Sequence, residues 1–309
     1  MGVDYGVTVN QTGIDKITTK SAKQALDRRL RKSIELMIAV REHGAEHVER
    51  VHHLRTETRR ADAALRLLGD GLPHHRAKSI RRQLNDLRDQ AGQVRDLDVI
   101  RPLLEEYVPQ LPSATGEWLK ERMRLLRAKK KRSLRQGCRK LLANGFEDEA
   151  KSTIRQLYRK KSTDDATIQQ DLLQAVNPLL TKFFGTINLL SLDPQQFHQA
   201  RILGRRLRYT IDLLGEIFPA ARLETAGQQL TKLQDALGLV HDQQSLLQFL
   251  KTSLSECDDQ TCATSLLPLI QAVETTSEQQ RIVAIQSMIE QVQEIRNLRT
   301  ILTSQISGT

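Results

Sequence analysis

One fifty-residue stretch occurs twice in this chain of 309 residues. Laid over residues 197–246 without a gap, an offset of 146, residues 51–100 share sixteen identities with them. His52 meets His198, Arg55 meets Arg201, Arg59 meets Arg205 and Arg60 meets Arg206. LeuLeuGly at 67–69 meets LeuLeuGly at 213–215, and Pro73 meets Pro219. Past the prolines, Leu87, Asp89, Gly92, Val94 and Asp96 still meet Leu233, Asp235, Gly238, Val240 and Asp242. Shared helical composition does not keep register across a proline break. The spacing therefore predicts an internal duplication, in which whatever one copy folds into the other must fold into as well.

The period of the apolar residues is helical throughout. It predicts helices over 20–44, 46–69, 74–108 and 114–145, then over 166–190, 194–218, 220–252 and 262–306, the last broken near Thr275–Thr276. GlyAspGlyLeuPro at 69–73 and IlePheProAla at 217–220 set a proline at or just before a new helix. Aromatic residues make up only 4% of the chain, and unbranched Leu, Ala, Gln, Arg and Glu abound, which lose little rotamer freedom on a helix. The expected fold is all-α. Residues 1–18 read as a flexible N-terminal segment, about 19–145 as a first helical repeat, 146–165 as a connection containing YRKKSTDD, and about 166–306 as a second repeat.

Forty-seven lysines and arginines against thirty-seven carboxylates leave a formal charge of +10, so the field of the whole protein attracts polyanions: nucleic acid, anionic lipid or phosphate polymers. Three scattered cysteines, Cys138, Cys257 and Cys262, make no disulfide framework and suit a reducing compartment. The opening MGVDYGVTVNQTGIDKITTK lacks the charged-then-apolar pattern of a signal, and no apolar run approaches the roughly 18 residues that span a bilayer. The expectation is a cytoplasmic protein with no membrane partner.

The positive charge is patterned. At 100° per residue His52, Arg55, Arg59 and Arg66 fall within about 60° of one another, beside an apolar stripe of Val51, Leu54, Thr58, Ala61, Leu65 and Leu68. His198, Arg201, Arg205 and Arg208 repeat the arrangement beside Phe197, Ala200, Leu207, Ile211 and Leu214. Arg81, Arg88 and Arg95 recur every seven residues on the next helix. Lys120, Arg124, Arg127, Lys131 and Arg135 follow at steps of three and four on the one after. Solvated faces normally mix both signs, because like charges one turn apart cost a few tenths of a kcal/mol. These stripes read as nearly free of carboxylates, Asp212 excepted, so an anion from outside the chain is expected to relieve them.

VHHLRTETRR at 51–60 with QAGQVRDLDV at 90–99, and FHQARILGRRLRY at 197–209 with LQDALGLVHD at 233–242, resemble the CHAD family, the conserved-histidine α-helical domain. The resemblance covers about residues 20–306. It implies two four-helix bundles related by pseudo-twofold symmetry around a basic central channel that binds inorganic polyphosphate, with association to polyphosphate granules and no chemistry of its own. The second copy departs from the pattern: ArgAspLeuAsp at 95–98 becomes HisAspGlnGln at 241–244.

Together, stripes and resemblance name the expected phosphate ligands. From the first copy these are His52, Arg55, Arg59, Arg60, Arg81, Arg88 and Arg95, with Arg124, Arg127, Lys131 and Arg135 from the fourth helix. His198, Arg201, Arg205, Arg206 and Arg208 come from the second copy. Arginine offers rigid forked donors and lysine a mobile point charge, so a mixed set grips a repeating anion in many registers. His53, unmatched by Gln199, reads as surface. Binding is expected to weaken with salt and to strengthen below about pH 6.5, where free histidines gain charge.

Three other readings compete. Zinc needs three or four converging neutral ligands, and the repeated histidines each precede an arginine by three residues, so neither a metal nor a cofactor is expected. Phosphoryl chemistry needs clustered carboxylates; Asp96, Asp98 and Asp242 are the candidates, and they read either as partners that orient arginines or as holders of a metal ion. Nucleic acid fits the charge, but no helix-turn-helix or RNA-binding signature occurs and the stripes hold one aromatic residue, Tyr209, for stacking.

Overall fold

The structure is a computed structural model and describes residues 19–158, 165–188, 194–217 and 221–306. The expected N-terminal segment 1–18, part of the connection and the break at residues 218–220 lie outside the described residues. Helix α1 spans Thr19–His43, α2 Val48–Leu67, α3 His74–Tyr107, α4 Ser113–Ala143 and α5 Phe146–Arg155. Then come α6 (Asp165–Asn188), α7 (Pro194–Ile217), α8 (Ala221–Ser255) and α9 (Gln260–Ile306). Among the described residues there is no strand, and no helix is long and apolar enough to cross a membrane.

Local chemistry sets the ends. Gly44, at φ 71°, closes α1 by donating its N–H to the Val40 carbonyl at 2.9 Å. Gly145, at φ 78°, ends α4, and Glu147, Asp148 and Glu149 then fill the first turn of α5, where carboxylates meet the positive end of the helix dipole. Helix α5 lies within the segment expected to be a connection. The expected break at Thr275–Thr276 does not occur: both hydroxyls bond carbonyls four residues back, of Gln271 and Ala272, each at 3.0 Å, and α9 runs through.

Helices α1 to α4 pack each on the next, and α4 returns to α1; α6 to α9 do the same. The halves meet where α2 lies on α7 and α3 on α8. Burial does not follow the halves. The main apolar core runs from Leu26, Leu54 and Leu84 through Phe146 to Phe183, Leu207 and Leu233. A second, smaller core joins Ile100, Leu119 and Met123 to Leu246, Leu266 and Val273, where the α3–α4 hairpin meets the α8–α9 hairpin. Packing α2 on α7 by their apolar stripes leaves the adjoining cationic stripes facing each other.

Candidate functional site

Between α2, α3, α6, α7 and α8 lies a cavity of about 470 Å³. Helix α2 contributes Arg55, Arg59 and Arg66, α3 contributes Arg88, and α7 contributes His198, Arg201, Arg205, Arg206 and Tyr209. Helix α8 adds His241, and Ala175 and Leu179 of α6 form an apolar wall. The cations crowd one another. Burial, with Arg55 and Arg205 alongside, pushes Arg59 down to about 8. Burial and Arg201 push Arg205 to about 9, and burial with Arg55 and Arg59 pushes Arg201 to about 10. A guanidinium gives up its proton so reluctantly that this pressure is held in the fold as repulsion. Arg201 is only 8% exposed, and its Nε, like those of Arg55 and Arg206, is buried with no hydrogen-bond partner.

Carboxylates do reach the site, contrary to the reading of single stripes. Asp62, 5% exposed, accepts from Arg66 Nε at 2.9 Å and from Arg81 Nε at 3.0 Å, with Arg88 at 3.8 Å. Asp96 of α3 stands 3.9 Å from Arg55 of α2. Asp98, also on α3, is buried and accepts from Arg127 of α4. For Asp242, burial outweighs the pull of Arg201 and raises its carboxyl above the ordinary range. Asp96 and Asp98 thus pair with arginines of neighbouring helices, and among the described residues no group of three or more His, Cys, Asp or Glu could hold a metal ion.

Three histidines in or beside the site, His52, His198 and His241, are held below their ordinary value. His198 and His241 have ring centroids 6.4 Å apart. Burial, then Arg201 and Arg205, push His241 down to about 3 and lower His198 as well. His52 does not line the cavity; burial and Arg95 lower it. Titration near pH 6.5 is therefore displaced downward at all three. His53 is exposed, 3.8 Å from Glu49. At Tyr209 burial pushes the phenol up, but Arg59 and Arg208, with Arg205, outweigh it and hold the group below its ordinary value.

The other expected ligands are placed elsewhere. Arg60 pairs with Glu57 at 2.6 Å and opens into a different cleft with Arg29, Asp212 and Glu216. Arg81 reaches the site only through Asp62. Arg208 covers the ring of Tyr209, and Arg95 lies near His52. The α4 stripe is not open to the cavity. Arg124 pairs with Glu121, Arg127 with Asp98 and Lys131 with Glu46, while Arg135 donates to the Arg41 and Glu42 carbonyls at 2.9 and 3.2 Å. Arg124 thus pairs within α4, while Arg127, Lys131 and Arg135 fasten α4 to α3, to the α1–α2 turn and to the end of α1. Glycine 92 makes room for a side chain: a Cβ there would meet Arg55 Nε at 3.3 Å, whereas nothing lies within 4 Å at Gly238.

Asp62 and His241 are the members the stripes missed. Asp62 sits one turn before Arg66, an i,i+4 pair visible in the sequence, and His241 is the residue that replaces Arg95 in the second copy.

The family model of the CHAD domain matches residues 24–251. No curated protein sequence matches the chain. Among solved structures, PptA from Streptomyces chartreusis superposes with a TM-score of 0.64 at 16% identity, covering 90% of this chain and 99% of that one. The CHAD domain from the plant Ricinus communis superposes with a TM-score of 0.61 at 17% identity, covering 94% of this chain and 93% of that one. At these identities the likeness is one of fold.

Proposed function

Since this chain belongs to the CHAD domain family, we propose that its cationic cavity binds inorganic polyphosphate and that it does so without catalysis. One observation carries the reading: three arginines, Arg55, Arg201 and Arg206, surround one cavity with buried Nε–H groups that no other described residue accepts. An unmet buried donor costs about 1–3 kcal/mol and more when charged, and an anion supplies both the acceptor and the missing charge. Arg55, Arg59, Arg201, Arg205 and Arg206 are the principal contacts, with His198 as a further donor. The two helical halves are a duplication, and the basic groove where α2 meets α7 is the channel between them. Localisation to polyphosphate granules follows from this binding.

A bare phosphate chain suits a site of this kind better than nucleic acid does, because Tyr209 is 5% exposed and offers no face to a base. Hydrolysis of the polymer would need a metal, and the carboxylates beside the arginines are occupied in holding them.

Titration calorimetry with long-chain polyphosphate tests the reading. The double variant Arg55→Glu with Arg201→Glu should abolish binding, while Lys78→Glu with Lys129→Glu, both exposed and remote from the cavity lining, should cost little. Equal losses from the two pairs would point to diffuse surface charge instead. Duplex DNA or RNA that polyphosphate fails to displace at physiological salt would move the reading to nucleic acid. Phosphate release from polyphosphate with magnesium would make the protein an enzyme.

A further inference from the structure

Among the described residues Asp62 is the one buried carboxylate that both lines the cavity and bonds its arginines. Its two oxygens divide the work: Oδ1 takes Arg81 Nε, and Oδ2 takes Arg66 Nε and faces Arg88. Arg206 of α7 lies close to the same group and feels its charge. One negative charge therefore stands among four positive ones, too little to neutralise them but well placed to occupy their donors.

The repeat makes the position conspicuous. The counterpart of Asp62 is Arg208, and the counterpart of Arg66 is Asp212, so the order of charge along the helix is reversed between the copies. Arg208 does not act as a second hub: it covers Tyr209, and Arg81 and Arg88 have Gly227 and Gln234 as counterparts. The site is consequently lopsided. Among the described residues Arg59, Arg201 and Arg205 have no carboxylate within 4 Å, and Arg55 has Asp96, a half-exposed side chain, at 3.9 Å, whereas Arg66, Arg81 and Arg88 share the buried Asp62.

We propose that Asp62 determines which arginines an incoming anion can use, acting as an internal carboxylate that holds Arg66, Arg81 and Arg88 and confines a phosphate chain to Arg55, Arg59, Arg201 and Arg205. This rests on the polyphosphate reading and deepens it. A tethered carboxylate has no association cost to meet, so a phosphate must outcompete it at every guanidinium it holds. The open arginines carry no buried competitor, only Arg55 having the half-exposed Asp96 beside it. Asp62 thereby lowers the affinity of the site and reduces the number of charges a bound chain neutralises.

Salt dependence reads this number directly, because log K falls with log salt in proportion to the contacts made, by about 0.7–0.9 for each. Long-chain polyphosphate titrated into the wild type, Asp62→Asn and Arg81→Gln between 50 and 200 mM salt is the test. Asp62→Asn should bind about ten-fold more tightly at physiological salt and show a slope steeper by about two. Arg81→Gln, which removes a guanidinium that is already held, should leave the wild-type slope unchanged. An Asp62→Asn protein that folds yet binds no more tightly, with the wild-type slope, overturns the proposal. So does a slope shallower by about one in Arg81→Gln, which decides the matter alone if Asp62→Asn does not fold. Absence of salt-dependent binding in the wild type removes the polyphosphate reading and this proposal with it, a result distinct from the others.

Discussion

The guanidinium of Arg208 lies 4.7 Å from the ring centre of its chain neighbour Tyr209, and the phenol is hydrogen-bonded among Arg59 and Arg208. A buried phenol ordinarily resists ionisation, as Tyr158 does at about 12. At Tyr209 three cations reverse that tendency. An absorbance titration of tyrosinate should therefore show one phenol ionising below 10, missing in Tyr209→Phe. Bound polyanion, by neutralising the neighbouring arginines, should raise that value again. A first ionisation at or above 10 in the free protein would contradict the arrangement.

The lowered histidines couple stability to pH. For His241 the folded value is about 3 against 6.5 unfolded, so between these limits the unfolded chain holds a proton that the folded chain refuses. Stability should be complete above 6.5 and decline as pH falls below it, by about 1 kcal/mol per pH unit from this residue. His198 and His52 act in the same direction, while the raised carboxyls of Asp212 and Asp242 oppose it. Melting temperatures between pH 7 and 5 should fall in the wild type and be flatter in His241→Gln. An anion in the cavity favours imidazolium, so binding near pH 6 should take up protons, measurable as heats that vary with buffer ionisation enthalpy. Identical heats in all buffers would exclude the coupling.

Gly92→Ala offers a small perturbation of one contact. The new methyl would meet Arg55 Nε at 3.3 Å and displace the guanidinium by a few tenths of an ångström, with the helix itself free to accept alanine. Polyphosphate affinity should fall several-fold while thermal stability holds or rises slightly. Gly238→Ala, mid-helix in α8 with nothing within 4 Å, should leave affinity unchanged and raise stability slightly.

Sequence periodicity located eight of the helices with ends displaced by only a few residues, because glycine and proline punctuate them and each buries a continuous stripe. Helix α5 escaped because its ten residues fall in a segment that reads as charged and polar; the acidic first turn after Gly145 was the available signal. Of the stripe residues on α2 and α7, Arg55, Arg59, Arg201 and Arg205 do line one cavity, since α2 packs on α7. A stripe cannot reveal what the adjacent helix presents to it. The fourth-helix cations carry the same spacing as the others, yet Glu46, Asp98 and the end of α1 are what they meet.

Arg135 separates the two kinds of stripe. Its donors satisfy carbonyls of Arg41 and Glu42 that the end of α1 leaves open. Arg135→Met should cost about 1–2 kcal/mol in denaturant unfolding and leave polyphosphate affinity at the wild-type value once the protein is folded. A loss of affinity with unchanged stability would return this residue to the binding set.

The core that runs from Leu54 and Leu84 to Leu207 and Leu233 makes the two helical halves depend on each other. A half that kept its apolar residues to itself could stand alone. Here each half completes the interior of the other, so a split between α5 and α6 should yield two fragments that fold only in each other's company.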